Sequence, residues 1–345
     1  VLGPDAESVA LAWRFPGVSD KDFEILQVVS QVLYNGKAGL IDLDLNQQQK
    51  VLNSYGYPMG LADYSAFILG GLPKQGQTLE EVKDLLLNEI KKLRAGEFDE
   101  KMLQANINNF KLYELQSMES NEGRADIFVN SFINGTNWKD EVTAIDRMAK
   151  LTKEDIVAFA DKYLKEDNYA VVYKKQGKDP NEKKMTKPEI TPIITNRDVT
   201  SPFLVEVQES AVKPIEPVFL DYQKDMSQLK AKSDIPVLYK QNVANDLFQL
   251  IYVFDMGNNH DKALGTAFDY LEYLGTSDMT PEELKSEFYR LACTFYVSPG
   301  NERTYVVLSG LNENMPAAVQ LFEKLLADAQ VNKEAYTNMT SDILK

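Results

Sequence analysis

One offset recurs along this chain, and it constrains the fold more than any single motif does. Residues 67–72, Phe-Ile-Leu-Gly-Gly-Leu, align without a gap with residues 306–311, Val-Val-Leu-Ser-Gly-Leu, which lie 239 positions later. The same offset relates Phe15 to Phe254 and Asp22 to Asp261. Chance can produce one such match, because amphipathic elements resemble one another, but an ungapped register over several elements favours an internal duplication.

Each copy follows the same order of strand, polar turn, helix, strand pair, helix and helix. Strands followed by runs of helices predict an α+β fold, with the helices on one face of a mainly antiparallel sheet. We predict a first copy over 1–175, a long Pro- and Lys-rich linker over 176–217 and a second copy over 218–345. Proline keeps the linker extended, so it is either a hinge between the copies or a surface loop packed on one of them.

Local signals place the ends of several helices. Thr followed three positions later by an acid predicts three capping boxes: Thr78 with Glu81, Thr152 with Asp155, and Thr280 with Glu283. Ser19 with Asp22 predicts the start of the first helix in the same way. Further helices are predicted over 100–118, 121–133, 138–148, 153–164, 261–274 and 316–329. Short strands are predicted at 203–207 in the linker, around Phe219 and around Val237.

The second copy ends sooner than the first. Three further helices and a closing strand follow Met118 in the first copy, whereas the chain stops at Lys345, inside the helix that matches residues 100–118. A half-built α+β copy would leave apolar surface on its sheet uncovered. We therefore expect a fragment cut at both ends, with about 50–80 further residues of helix and strand after Lys345.

The chain has one histidine, His260, and one cysteine, Cys293. Structural zinc takes four Cys or His ligands and catalytic zinc usually takes two or three histidines, so neither kind of site is expected here. A disulfide within the chain is impossible. We interpret His260 as an exposed turn residue before a helix, and Cys293 as a small buried hydrophobe rather than a reactive thiol.

Charge and patterning exclude several classes of partner. The chain holds 52 acidic and 37 basic residues, a net charge of −15, and nucleic-acid binding needs a basic surface instead. No apolar run approaches the roughly 18 residues of a membrane-spanning helix, and no Gly-rich phosphate loop is present. The tyrosines on predicted strands are interpreted as sheet-face packing rather than a binding platform; they are Tyr55, Tyr57, Tyr64, Tyr169, Tyr173, Tyr239, Tyr252 and Tyr305.

Several segments carry a resemblance to a known family. In the second copy they are Leu-Gly-Thr at 274–276, Thr-Pro-Glu-Glu-Leu at 280–284 and Val-Val-Leu-Ser-Gly-Leu-Asn at 306–312. In the first copy they are residues 3–15, Asn35-Gly36 with 39–43, and the helix start at Phe98-Asp99. With these segments the chain resembles the pitrilysin/insulinase-type (inverzincin) zinc metallopeptidases. The resemblance implies homologous α+β domains, two per half of a hinged clamshell, and places this chain over the second domain, the linker and part of the third domain.

The family's catalytic motif, H-x-x-E-H, lies on the first helix of its first domain. The matching helix of the second copy reads Asp269-Tyr270-Leu271-Glu272-Tyr273, about two residues short of the active pattern. The resemblance therefore places Asp269 and Tyr273 where both histidine ligands would stand, and Glu272 at the catalytic glutamate. We predict no catalytic residue and no metal ligand in this chain, and we interpret Glu272 as a surface or capping carboxylate.

Two classes of function follow from the resemblance. In the first, the chain is the non-catalytic part of a zinc metallopeptidase, and it forms chamber wall, hinge and domain contacts around a peptide substrate. Zinc and the H-x-x-E-H motif then lie in a domain of the parent that precedes Val1, and the missing domains are partners of this chain. In the second, the parent is wholly inactive and acts as a scaffold or partner subunit. An independent enzyme that uses His260 or Cys293 has little support. The family is compatible with a Gram-negative periplasm or cell envelope, although no residue indicates a compartment.

Overall fold

The computed structural model describes residues 1–178, 186–231 and 234–344. The chain divides into two compact units, a main unit of Val1–Lys178 with Ala244–Lys345 and a linker unit of Asp179–Val243. Part of the Pro- and Lys-rich start of the linker, residues 179–185, lies outside the described residues. Among the described residues, no helix is both long enough and apolar enough to cross a lipid bilayer.

The first copy contains a five-stranded sheet and its helices. In chain order these are β1 Leu2–Gly3, β2 Ser8–Pro16, α1 Lys21–Leu33, a π-helical segment Asp42–Gln47, β3 Asn53–Met59, β4 Tyr64–Leu72, α2 Leu79–Arg94, α3 Lys101–Ser117, α4 Asn121–Asn134, α5 Trp138–Glu141, α6 Ala144–Met148, α7 Lys153–Tyr163 and β5 Ala170–Gln176. The strand order is β1-β5-β2-β4-β3. Only the short β1–β5 pair is parallel.

Helices cover one face of this sheet. Val9, Leu11, Trp13 and Phe15 of β2 are buried, because alternate side chains of a strand point to the same face. The helices α1, α2 and α7 contact β2 and enclose these side chains in one hydrophobic core. The predicted arrangement, helices on one face of a mainly antiparallel sheet, is confirmed.

Three capping boxes form as the sequence predicts. Thr78, Thr152 and Thr280 each accept a hydrogen bond from a backbone N–H three residues on, and the acid at that position accepts one in return. The predicted start of α1 is wrong by one residue, since Asp20 rather than Ser19 caps the helix by accepting from the N–H of Asp22.

The linker unit differs from its predicted elements. It contains α8 Pro202–Glu209, β6 Ser227–Lys230 and β7 Pro236–Tyr239, and the two strands form an antiparallel hairpin. The strand predicted at 203–207 is wrong, because Ser201 caps a helix there and Pro202 suits its first turn. Phe219 also lies outside any strand and is exposed, whereas Val237 lies in β7 as predicted.

The second copy repeats the first around a three-stranded sheet, in the order β8-β10-β9. Its elements are β8 Leu247–Phe254, α9 Leu264–Leu271, α10 Pro281–Arg290, β9 Cys293–Pro299, β10 Thr304–Leu311, a 3₁₀ turn Asn312–Asn314, α11 Met315–Asp328 and α12 Lys333–Ile343. Two predicted helices are too long. The helix of 261–274 shortens to α9, and the helix of 138–148 splits into α5 and α6.

Strand register confirms the duplication. Gly71 lies opposite Val9 on one side and Ser54 on the other. Gly310, 239 positions later, lies opposite Phe248 and Cys293, which are the same offset from Val9 and Ser54. A one-residue slip would turn every side chain to the other face of a strand, so equal register in both sheets is a demanding test of homology.

Candidate functional site

The two copies meet along α3 of the first and α10 of the second. The Asn109 side-chain amide donates to the backbone carbonyl of Tyr289 at 2.8 Å, and the Tyr289 hydroxyl donates to Asn106 Oδ1 at 2.8 Å. All three residues are buried, and burial raises the pKa of the Tyr289 phenol. A buried polar group is costly unless it is paired, so this hydrogen-bonded set fixes how α3 and α10 lie against each other.

A second set of contacts reciprocates the first. The π-helical segment begins at position 42 and α10 at position 281, again 239 apart, and each packs on the other copy. Gln47 donates to the backbone carbonyl of Glu272 at 3.3 Å, and Gln49 donates to the carbonyl of Ala335 at 3.2 Å. Asn338 of α12 donates to Gln49 Oε1 at 3.1 Å. The interface is therefore approximately pseudo-symmetric, since α10 contacts α3, and Gln49, just after the equivalent π-helical segment, contacts α12.

Apolar contacts join the copies between these polar sets. Leu112 of α3 forms a buried cluster with Leu247, Ala292 and Leu311 of the second copy. Burial of leucine contributes on the order of 2 kcal/mol per side chain. The face of α3 that points away from its own sheet is thus part of a core that both copies share.

Asp42 organises the loop that faces α10. Its Oδ2 accepts hydrogen bonds from the backbone N–H groups of Asn35, Gly36 and Gly39 at 2.9, 3.1 and 2.9 Å. Gly36 has a φ of +77°, a left-handed conformation that favours glycine. Burial raises the pKa of Asp42 to about 6, although the three donors act in the opposite direction. The loop is held from inside by one carboxylate.

The positions of the degenerate catalytic motif lie at the end of α9. Glu272 is the C-cap residue, its side chain is 66% exposed, and its Oε2 lies 3.8 Å from the Lys285 ammonium on α10. Asp269 is exposed. Tyr273 is half-buried, and burial raises the pKa of its phenol. Glu272 is thus a surface and C-terminal capping residue.

These residues do not fit a zinc ion. Zinc in proteins takes nitrogen, sulfur or carboxylate ligands that converge on one point, whereas Glu272 faces a lysine ammonium. Over the described parts of the chain, no three His, Cys, Asp or Glu side chains converge in a way that could hold a metal ion.

His260 and Cys293 lie where a structural role places them. His260 is exposed, and its Nδ1 accepts from the backbone N–H of Gly257 at 3.1 Å in the turn before α9. Cys293 is 5% exposed, and burial raises the pKa of its thiol to about 11. A thiol with such a pKa is a poor nucleophile near neutral pH.

Several strand tyrosines differ from the packing role predicted for them. Tyr57, Tyr64, Tyr239 and Tyr305 are exposed. Tyr57 of β3 and Tyr305 of β10 lie on the sheet faces opposite the helices. Their positions alternate with positions of buried side chains in the same sheet, and alternate positions point to opposite faces. These outer sheet faces therefore carry exposed aromatic side chains.

Sequence reasoning did not identify Asp42, Lys285 or Tyr289. For Asp42 a signal existed, because Asn35-Gly36 and Gly39 upstream of an acid are suited to a turn of converging N–H groups. For Tyr289 and Lys285 no local signal existed, since their partners lie far away in the sequence.

Comparison with known proteins gives independent evidence on what the chain is similar to. Residues 2–110 match the family described as Peptidase M16 inactive domain. The Zinc protease PqqE of Helicobacter pylori is 27% identical over 178 residues, which cover 50% of this chain and 39% of that protein. This chain thus spans well under half the length of that relative.

Solved structures give weaker matches. A protease from Helicobacter pylori aligns with a TM-score of 0.48 and 21% identity, over 50% of this chain and 43% of that one. The periplasmic protease PqqL from Escherichia coli aligns over 98% of this chain and 41% of its own, with a TM-score of 0.38 and 13% identity.

Proposed function

We propose that this chain is the non-catalytic part of a zinc metallopeptidase of the pitrilysin type, because residues 2–110 match the family described as Peptidase M16 inactive domain. In this proposal the zinc and its H-x-x-E-H motif belong to another domain of the parent polypeptide, and peptides are the substrates. The chain supplies wall surface and domain contacts around the peptide, and residues 179–243 connect its two copies.

The observation that carries the proposal concerns α9, the helix of the second copy that corresponds to the helix with the family's catalytic motif. A fold of this family builds its zinc site on the first helix of a copy, and the sequence offers one histidine for two copies. That histidine, His260, precedes α9 and accepts from its own turn. Both copies therefore keep the scaffold of the family without the imidazoles on which its chemistry depends.

The outer sheet faces support a role as wall. Helices cover one face of each sheet, while Tyr57, Ile251, Tyr296 and Tyr305 on the other faces are 41–54% exposed. Aromatic side chains with a polar tip contact peptides well, because the ring buries apolar area and the hydroxyl still forms hydrogen bonds.

The interface between the copies supports a role in domain contacts. Asn109, Tyr289 and Leu112 bind the copies through buried hydrogen bonds and a shared apolar cluster. An enclosing wall must keep its parts in a fixed relation, and buried polar networks of this kind specify one arrangement.

Zinc content and peptide hydrolysis test the proposal together. We expect about one zinc per parent polypeptide by elemental analysis, and fewer than about 0.1 zinc per molecule of this chain alone. The parent should hydrolyse peptides, while the chain alone and a parent whose motif glutamate is replaced by glutamine should not.

In the parent, Tyr57→Ser should raise KM several-fold with little change in kcat; the control Tyr113→Ser alters a tyrosine of equal exposure on a helix.

Two results would contradict the proposal. Stoichiometric zinc or hydrolysis in this chain alone would place the catalytic site within it. A parent that binds no zinc and hydrolyses no peptide would instead identify the wholly inactive scaffold.

A further inference from the structure

A cavity of about 80 Å³ lies beside the degenerate motif, between the second copy and residues Gly36 and Lys37 of the first copy. Leu271 and Glu272 at the end of α9, Leu284 and Phe288 of α10, and Leu325 of α11 line it. Lys285 and Lys37 add two cationic side chains to the lining. The cavity thus combines apolar walls with positive charge.

The two copies differ in the helix that lies beside the cavity. In the first copy, α1 has 13 residues, and its Leu26 and Leu33 are fully buried. The residues at the same offset in the second copy are Gly265 and Glu272, which contribute no apolar side chain to the core. The shorter α9 has no buried residue. Glu272, at the position equivalent to Leu33, lines the cavity, so this part of the lining lacks the apolar side chain that the first copy has there.

The Lys285 ammonium is only partly compensated. Its side chain is 29% exposed, and Glu272, its nearest carboxylate partner, is itself 66% exposed and lies 3.8 Å away. Burial lowers the pKa of Lys285, and the charge of Lys37 acts in the same direction. The neighbouring Asp42 carboxylate already accepts three backbone N–H groups. A cation in such surroundings gains from an additional anion.

The volume of the cavity limits the guest. An engineered cavity of about 150 Å³ in another protein binds benzene with room to spare, so a cavity of about 80 Å³ limits the guest to a compact group of about four or five carbons at most. Apolar walls bury such a group, and one well-placed charge orients it.

We propose that this cavity binds a short branched aliphatic carboxylate, with the alkyl group among Leu271, Leu284 and Leu325 and the carboxylate on Lys285. Two sources share this chemistry, a free short-chain fatty acid and the C-terminal leucine or valine of a peptide. The site is separate from the wall role proposed above, and binding requires neither zinc nor hydrolysis.

Calorimetric titration of the whole chain tests the inference with four probes. We expect 4-methylpentanoate, N-acetyl-leucine or both to bind, and we expect N-acetyl-leucinamide and 4-methylpentan-1-ol to bind at least tenfold more weakly. Binding of N-acetyl-leucine alone identifies the peptide C-terminus as the source, and binding of 4-methylpentanoate alone identifies the free acid. The inference would be overturned if neither carboxylate bound at a concentration of about 10 mM.

Variants assign the binding to this cavity. Lys285→Met should weaken carboxylate binding at least tenfold, and Glu272→Gln should strengthen it two- to fivefold because it removes the competing carboxylate. Leu271→Phe should abolish binding by filling the cavity. Lys91→Met is the matched control, since Lys91 also forms one long ion pair, 3.6 Å from Glu166. Unchanged far-ultraviolet circular dichroism verifies the fold of each variant, and equal affinity in Lys285→Met and Lys91→Met would contradict the site.

Discussion

Two carboxylates, those of Asp42 and Glu89, lie in the interior of this protein. Asp42 is 7% exposed and holds the loop of residues 35–39 through its Oδ2. Glu89 is 2% exposed and lies on the buried side of α2, where its Oε1 is 2.9 Å from the Lys92 ammonium. Hydrophobic periodicity predicts apolar side chains at buried positions, so it does not identify buried carboxylates that are paired with neighbouring groups.

Asp42 predicts a specific dependence of stability on pH. Its pKa is about 6 in the folded state against 3.8 as the ordinary value, so its contribution is fully present below pH 4 and is lost as the pH rises through 6. Relative to Asp42→Asn, the wild-type chain should lose on the order of 3 kcal/mol of unfolding free energy between pH 4 and pH 7. Urea unfolding at a series of pH values measures this difference.

A second aspartate serves as the control for that experiment. Asp5 is exposed, and a hydrogen bond from Lys174 lowers its pKa. The Asp5→Asn variant should therefore not reproduce the difference that Asp42→Asn shows over this range. Parallel stability curves for wild type and Asp42→Asn would show that the carboxyl group is not shifted upward.

At the scale of elements, some features follow from local sequence signals and others depend on tertiary contacts. The capping boxes at Thr78, Thr152 and Thr280 form as predicted, because the donor and acceptor lie three residues apart on one helix. Sheet order and the length of α9 do not follow from local signals. α9 ends early and has no buried residue, since the apolar contacts that lengthen α1 are missing in the second copy.

The glycine at the same register in both sheets, Gly71 in β4 and Gly310 in β10, gives a prediction for β10. A Cβ at Gly310 would lie 2.4 Å from the carbonyl oxygen of Ala292 and 2.6 Å from Cys293 Sγ. Gly310→Ala should therefore lower the free energy of unfolding by about 2–3 kcal/mol in urea titrations. Gly265→Ala in α9 meets no atom within 4 Å and should instead raise it by up to about 1 kcal/mol. Equal effects of the two substitutions would contradict the close approach of the strands at Gly310.

At the scale of the whole molecule, the two copies share buried surface. Leu112 contacts Leu247, Ala292 and Leu311 across the interface, and the Asn109–Tyr289 hydrogen bond lies beside them. Because the copies share this buried surface, opening of one copy exposes apolar side chains of the other. The main unit should therefore behave as one cooperative body rather than as two independent copies.

Leu112→Ala tests this cooperativity. Removal of a buried leucine should lower the free energy of unfolding by about 2–5 kcal/mol, and the loss should be felt in both sheets. Hydrogen exchange measures it separately at Leu11 of β2 and Leu308 of β10. Leu229→Ala, in an exposed position of the linker unit, should change stability by less than about 0.5 kcal/mol. Loss of protection at only one of the two strands would show that the copies unfold independently.

The sequence by itself determined the duplication, the α+β class, the caps of three helices and the lack of paired imidazoles on the motif helix. Each of these is a local pattern or a comparison of the chain with itself, so no long-range contact is needed to see it. Only the tertiary structure decided that Asp42 is buried near Lys285 of the second copy, that Tyr289 joins the copies, and that a cavity lined by Lys285 lies beside α9. These features depend on groups that lie far apart along the chain, and burial and charge become informative only when folding brings such groups together.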